Sequence, residues 1–306
     1  MRATRFLETT TMLIRLQDPE IVELVGTDAL AFAQAQFASD VAALAPGHWQ
    51  WSSWLSAQGR VRAFFMLWRL ADADERFLLV LQGGSARRLR EALSRFVLRA
   101  KVKIDVASNL SAFIAEDSQT LAGTEPLPGG TDIALRDGCR VVALPGIPRR
   151  WLLIADTNEA LPHDDSASAR NREALAEIDA GIVTVADVLE DKLLPDWIGL
   201  AQIGAISVRK GCYPGQEVVA RLHFKGGNKR WLHRVTFSAS SLPAPGTWLP
   251  AEGENAALVI CAAWSEAGRG RALVIARDGI GPNTISSSTH AVAVHSIERV
   301  KSEDSH

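Results

Sequence analysis

Residues Ser207 to Glu217, reading Ser-Val-Arg-Lys-Gly-Cys-Tyr-Pro-Gly-Gln-Glu, place a thiol in a turn with two cations before it and a helix start after it. Gly211 admits backbone conformations closed to residues that carry a Cβ, and Pro214-Gly215 makes a turn that presents Cys212 and Tyr213 at its edge. Pro214 also suits a helix start, with Gln216 and Glu217 in the first turn and Val218, Val219 and Leu222 behind them. A thiol just ahead of a helix N-terminus, with Arg209 and Lys210 beside it, sees positive potential from both sources, and this favours a reactive thiolate supported by Lys210. The competing reading is a buried Cys212 acting as a small hydrophobe, the commoner fate of a free cysteine. His223, eleven residues on, could serve as a base, although a histidine beside Phe224 is more often a packing or surface residue.

Two basic clusters could meet anions. Between residues 87 and 103, Arg87, Arg88, Arg90, Arg95, Arg99, Lys101 and Lys103 face Glu91 as the only acid, which suits nucleic-acid phosphates or, more simply, a solvated helix face. Lys225, Lys229, Arg230 and Arg234 follow the cysteine turn directly and are better placed for an anionic ligand. Trp49, Trp51 and Trp54 are candidates to line a ligand cavity, with core packing as the alternative. Gly83-Gly84 before a helix could hold a phosphate at the helix N-terminus, but no P-loop lysine follows at the required spacing.

The elements that must position these groups mix strands and helices. Met12–Leu16 and Ile21–Val25 suit strands, and Asp28 is an N-cap for a helix over residues 28–39 with Leu30, Ala33 and Phe37 at helical spacing. Residues 60–70 and 76–82 form a hairpin across a polar turn. A second helix follows Ser85, with Leu89, Leu93 and Phe96 as its buried stripe, and ends near Lys101 before a strand through Val106. Loops over 116–131 and 156–170 flank a strand at Trp151–Ala155, and a third helix runs over about 168–179. This order predicts an α+β fold rather than a doubly wound parallel sheet. After residue 230 alternating β-like runs at Trp231–Phe237, Ala257–Trp264, Arg271–Ala276 and Ala291–Ile297 predict a small antiparallel β-barrel. The expected division is therefore 1–230, in two subdomains, then 231–300, then a tail over 301–306.

The 306 residues exceed one compact core of ordinary size, and 47% hydrophobic against 22% charged residues is the balance of a globular chain. A formal net charge of -2 gives no global attraction to nucleic acid or anionic lipid. No apolar run is long enough to span a bilayer, and Glu8 interrupts the N-terminus where a signal peptide would be apolar, so a cytoplasmic location without membrane contact is expected. Cys139, Cys212 and Cys261 are too few and too scattered for a disulfide framework, a zinc site or a protein-held iron–sulfur cluster, and no metal site is expected.

Lys-Gly-Cys-Tyr-Pro-Gly-Gln-Glu-Val-Val-Ala-Arg over 210–221, followed by Lys225-Gly226 and Asn228-Lys229-Arg230, resembles the signature of the YgfZ family, as does Leu200–Ser207 just before it. Gly26, Asp28-Ala29, Gln34, Gln36 and Asp40-Val41 resemble the family's first helix. Gln58-Gly59-Arg60 resembles its Lys-Gly-Arg turn, and Asp179-Ala180-Gly181 stands where the family reads Glu-Ala-Gly. The resemblance implies an aminomethyltransferase-like architecture, in which a folate-binding N-terminal region and a C-terminal β-barrel surround a central cavity. It implies tetrahydrofolate or a one-carbon derivative as ligand, with Asp179, Tyr213, Gln216, Glu217, Arg221, Lys229 and Arg230 around it. It also implies support of iron–sulfur enzymes such as tRNA methylthiotransferases through Cys212, with weak tRNA contact. Two departures bear on folate: Gly199 replaces the family's asparagine, and Asp179 is one methylene shorter than glutamate. The alternatives are a folate-dependent aminomethyl or one-carbon transferase, in which Asp40 orients the amine, and a non-catalytic RNA or protein adaptor using the 87–103 patch; whether the chain is an enzyme stays open.

Overall fold

The computed structural model describes residues 13–16, 20–72, 74–116, 128–136, 138–158, 161–251, 254–281, 286–287 and 292–301. Residues 302–306 of the expected tail and parts of the expected loops over 116–131 and 156–170 lie outside these residues.

Alternation at Trp49-Gln50-Trp51 and two near-continuous apolar runs build the first sheet. Its strands are β3 (His48–Leu55), β4 (Val61–Arg69), β5 (Arg76–Leu81), β2 (Ile21–Val25) and β6 (Lys103–Val106), in that order. Every neighbouring pair is antiparallel. One face packs on α1 (Ala29–Gln36) and α2 (Ala86–Ser94) through Phe32, Phe37, Phe65, Phe77, Leu89 and Leu93. The other face carries Trp51, Phe64 and Trp68 into a core shared with the rest of the chain.

The second sheet runs β11 (His163–Asp164), β1 (Leu13–Arg15), β7 (Leu110–Ala115), β10 (Arg150–Asp156), β9 (Cys139–Leu144) and β8 (Ala134–Arg136). It is antiparallel except where β1 meets β11. Helix α3 (Ala167–Ala180) is capped by Ser166, whose side chain accepts from the Ala169 amide, and ends at Gly181 in the left-handed region. The third sheet runs β13 (Trp248–Ala251), β14 (Glu254–Glu266), β15 (Arg269–Ala276), β12 (Trp231–Ser238), β17 (Val292–Arg299) and β16 (Ser286–Ser287), all antiparallel. It curls around Val235, Phe237, Leu249, Val259 and Val274 until its edges β13 and β16 come together as an open barrel. Helix α4 (Gln216–Lys225) and two 3-10 turns, Asp187–Leu189 and Pro195–Ile198, lie on the segment between α3 and this sheet.

The architecture is the expected α+β one with a C-terminal antiparallel barrel-like sheet. Three details differ. Helix α2 stops at Ser94 rather than near Lys101: Ser94 Oγ donates back to the Arg90 carbonyl at 2.7 Å, and Phe96 stays 44% exposed, so the stripe lacks its third anchor. Asp28 occupies the N-cap position of α1 but its side chain makes no cap bond; Oδ2 accepts from the Lys101 amide instead, at 2.6 Å. Strands β3, β7, β8, β9, β11, β13 and β16 fall outside the runs expected from the sequence; β7 is buried on both faces and shows no alternation.

Candidate functional site

The cysteine turn is clamped on both sides of Cys212. On one side the buried Lys210 donates its ammonium protons to the carbonyls of Gln34, Phe37 and Ser39 at 2.5, 2.6 and 2.9 Å. Those carbonyls lie in and just beyond the last turn of α1, where the helix leaves acceptors unpaired and its dipole favours a cation. An ammonium has three donors and all three are taken, so Lys210 gives no hydrogen bond to Cys212. The thiolate support expected of it is replaced by a latch between the turn and α1. Burial pushes Lys210 down to about 8, opposed by Asp40, and it remains protonated at neutral pH as its three acceptors require. Asp40 Oδ1 accepts from Gln34 Nε2 at 3.0 Å.

On the other side Gly215 adopts φ +80°, and a Cβ there would stand 2.5 Å from the Ser56 carbonyl and 2.7 Å from Gly59 Cα. Gly59, at φ +69°, faces Val218 Cβ at 2.8 Å in the same way. The Gln58-Gly59-Arg60 turn and the cysteine turn thus require glycine in each other's presence. Between the two clamps Tyr213 is buried, with Lys210 Nζ 5.3 Å from its ring centre, and burial followed by Asp196 pushes its phenol up to about 12. Cys212 itself is exposed, which excludes the small-hydrophobe reading. Cys139 is buried and Cys261 half-buried, with burial together with Glu177 raising the Cys261 thiol to about 12, so Cys212 is the most exposed thiol of the three.

Where the three sheets converge, a cavity of about 430 Å³ is walled by Trp51, Phe64, Trp197 and Trp231. Asp196 and Gln202 give it polar groups, and Arg299, Val300 and Lys301 edge it from the end of β17. Trp51 stacks on Phe64 at 4.9 Å and 27°, and Arg299 lies over Trp231 at 4.4 Å. Burial raises the Asp196 carboxyl. Of the three tryptophans considered from the sequence only Trp51 reaches this cavity; Trp54 is core, beneath Arg62. Trp197 and Trp231 carried no sequence signal.

A second cavity, of about 260 Å³, shares Trp197 and is lined by Lys229, Arg230 and Arg277. Lys229 and Arg230 thus lie together on its wall. Glu217 and Arg221 lie exposed on α4, outside both linings, and Gln216 Nε2 donates to the Lys210 carbonyl at 3.4 Å. His223 is exposed with its ring edge-on to Phe224. Asp179 does not line the large cavity: its carboxylate accepts from Arg271 at 2.5 Å and its carbonyl from Arg234 at 2.5 Å, tying α3 to the third sheet. In the 87–103 patch, Arg88 pairs with Asp187 and Glu190, and Arg90 and Lys103 with Asp105. Arg87, Arg95, Arg99 and Lys101 are exposed with no ion pair among the described residues. The α2 N-terminus is already occupied, since Glu20 accepts from the Ala86 amide and Ser85 from the Arg88 amide at 3.5 Å.

Under α3 lies a group of enclosed charges. Arg150 pairs with Glu173, and Glu177 accepts from Thr184 Oγ1 at 3.4 Å. Glu177 keeps some accessible surface, but the surface it faces is a cavity. Burial, and then Glu173, push its carboxyl from 4.5 to about 8. Because the folded chain holds this proton more tightly than the unfolded one, the contribution to stability is full below about pH 4.5 and lost as pH rises through 8. Glu177→Gln is expected to remove that decline. The stability difference between variant and wild type should grow from pH 5 to pH 8 by at most about 1.4 kcal/mol per pH unit, read from urea unfolding at each pH. A difference independent of pH would contradict it.

Among the described residues no group of three His, Cys, Asp or Glu is placed to hold a metal ion, and no helix is long and apolar enough to cross a membrane. No family model matches the chain. The tRNA-modifying protein YgfZ of Vibrio vulnificus (strain CMCP6) is 28% identical over 252 residues, covering 77% of this chain and 74% of its own. The protein of the same name from Edwardsiella ictaluri (strain 93-146) is 31% identical over 244 residues, covering 76% and 72%. Among solved structures, the glycine cleavage system aminomethyltransferase T of Bartonella henselae matches with a TM-score of 0.67 at 15% identity, over 95% of this chain and 87% of that one. The two share a fold.

Proposed function

The chain belongs to the YgfZ family of tRNA-modifying proteins, and from that premise we propose that it is a folate-binding accessory factor supporting the assembly or repair of iron–sulfur enzymes, among them those that methylthiolate tRNA, with Cys212 as its functional thiol. The observation that carries this reading is the exposure of Cys212 on a turn whose neighbours are fixed by Lys210 and by the Gly215–Gly59 contact. A thiol held on a rigid support and open to solvent is suited to act on a partner rather than to fill a core.

The large cavity supports the folate part. Its volume is that of an ordinary small-molecule site, and Trp51, Trp197 and Trp231 offer flat faces to aromatic rings. Asp196 and Gln202 supply polar anchors, and Lys229, Arg230, Arg299 and Lys301 provide cations for the carboxylates of a folate tail. Folate, when bound, supplies a one-carbon carrier; the residues named here bind and orient it.

Tetrahydrofolate titration followed by tryptophan fluorescence should give a saturable change in the wild type. Trp197→Leu, which removes the wall common to both cavities, should weaken the affinity about tenfold or more. No saturable change in the wild type would sink the folate reading.

A further inference from the structure

The fold neutralises only part of the basic run over 87–103. Arg88, Arg90 and Lys103 are taken by acids from outside the run, whereas Arg87, Arg95, Arg99 and Lys101 stay exposed with no ion pair among the described residues. Three of these four cations fall in the loop over 95–101 that leaves the C-terminal end of α2, together with the exposed Phe96 and with Leu98, which is 87% exposed. The loop is held from several sides. Val97, Ala100 and Val102 pack against the core between the first sheet and its helices, and the Val97 amide donates to the Ser94 carbonyl at 3.2 Å. Asp28 grips Lys101 twice: its amide donates to the Lys101 carbonyl at 3.3 Å, and its carboxylate accepts from the Lys101 amide at 2.6 Å. Gly26 lies so close that a Cβ there would collide with the same carbonyl. The Gly26 and Asp28 pair noted in the sequence thus serves to fix this loop. The Phe96 ring is set edge-on to Trp54 at 6.0 Å and 82°.

With Val97, Ala100 and Val102 turned to the core, Arg95, Phe96, Leu98, Arg99 and Lys101 form a fixed outer surface in which cations alternate with apolar groups. Glu91 on α2 and Asp28, whose carboxylate is engaged by the Lys101 amide, are the acids that accompany it. This composition selects a partner. The core of a protein interface is depleted of charge, whereas nucleic-acid interfaces are more polar and much more positive. Cations spaced along a track with an aromatic face among them match the phosphates and unstacked bases of a single strand. We propose that the 95–101 loop is a contact surface for single-stranded nucleic acid, with Arg95, Arg99 and Lys101 on phosphates, Arg87 extending the track along α2, and Phe96 stacking on a base. The chain's net charge of -2 adds no wider attraction, so the contact is local and salt-sensitive. It shares no residue with Cys212 or with the cavities, and it does not need the folate reading.

The test is fluorescence anisotropy of dye-labelled dodecauridylate titrated with the full chain. Binding should be saturable, and the logarithm of the affinity should fall against the logarithm of salt concentration with a slope of about -3, as four cations on phosphates require. Arg95→Ser combined with Arg99→Ser should weaken binding about tenfold or more and make that slope about half as steep, a change that a merely loosened fold does not produce. Arg221→Ser combined with Lys225→Ser, which takes two exposed cations from α4, should stay within about twofold of the wild type. Phe96→Leu keeps an apolar contact with Trp54 but has no flat face; it should weaken binding about fivefold or more and leave the slope unchanged. A duplex of the same length should bind about fivefold or more weakly, because its stacked bases are closed to Phe96. The deoxy strand distinguishes the source: binding of either strand upholds the proposal, and the tighter one is the natural type. The proposal is overturned by no saturable binding of either strand, by an equal loss in the α4 variant, by indifference to Phe96→Leu, by a duplex bound as tightly, or by saturable binding of an acidic glutamate and leucine peptide in place of the strands.

Discussion

Lys210→Met is expected to lower the unfolding free energy by about 3 kcal/mol or more, because it removes three charge-assisted hydrogen bonds at once and leaves buried carbonyls without partners. The apolar stem of methionine fills much of the same space, so the loss reports the ammonium and its acceptors rather than a cavity. Lys210→Arg should not restore stability: a planar guanidinium cannot direct protons at three carbonyls converging within 2.5 to 2.9 Å of one nitrogen. Urea unfolding with an unchanged m-value would measure the effect. A loss under about 1 kcal/mol for Lys210→Met would show that solvent satisfies those carbonyls and that the latch is not structural.

Removing one partner of the Arg150–Glu173 pair should have a comparable effect for a different reason. Glu173→Met leaves a guanidinium buried without a counter-charge, which costs about 3–5 kcal/mol and cannot be relieved by deprotonation. Arg150→Met leaves a carboxyl that can take up a proton. Burial already raises Glu173, against the pull of Arg150, so this variant should lose less stability at pH 5 than at pH 8. The double replacement should be more stable than the sum of the single losses predicts, since neither charge is then stranded. Simple additivity in the double-mutant cycle would contradict the account of a coupled buried pair.

What could be read from the sequence divides along the distance over which the physics acts. The Pro214-Gly215 turn and the α4 start depend on residues within a few positions of one another, and they appear as read. Gly181 likewise ends α3 through its own backbone conformation. The use made of Lys210 was not legible, because its acceptors lie more than 170 residues earlier in the chain. Strand β3 was hidden by Ser52-Ser53 in its middle. Both serines are buried, and they are tolerated because Ser39 Oγ donates to Ser52 Oγ at 2.7 Å and Ser53 Oγ to the Ala205 carbonyl at 3.1 Å.

The cavities were illegible for the same reason. Trp197 and Trp231 both line a space that exists only once the three sheets are assembled. Glu173 and Glu177 fall at i and i+4 of α3, a spacing that ordinarily marks a solvated helix face. Here that face is turned inward, and Arg150 at the start of β10 is what makes burial of Glu173 tolerable. Asp179, expected at the pterin, is instead the residue that Arg271 uses to fasten α3 to the third sheet.

The central claim is that the exposed thiol of Cys212 does the work of the turn that carries it. Because the side chain is exposed, Cys212→Ala should leave the fold intact, with stability within about 0.5 kcal/mol of the wild type. The decisive measurement is the amount of methylthiolated tRNA in a bacterial strain lacking its own YgfZ-family protein, complemented with wild type or Cys212→Ala at matched protein levels. The wild type should restore the modification and Cys212→Ala should not; restoration by both to the same level would contradict the claim.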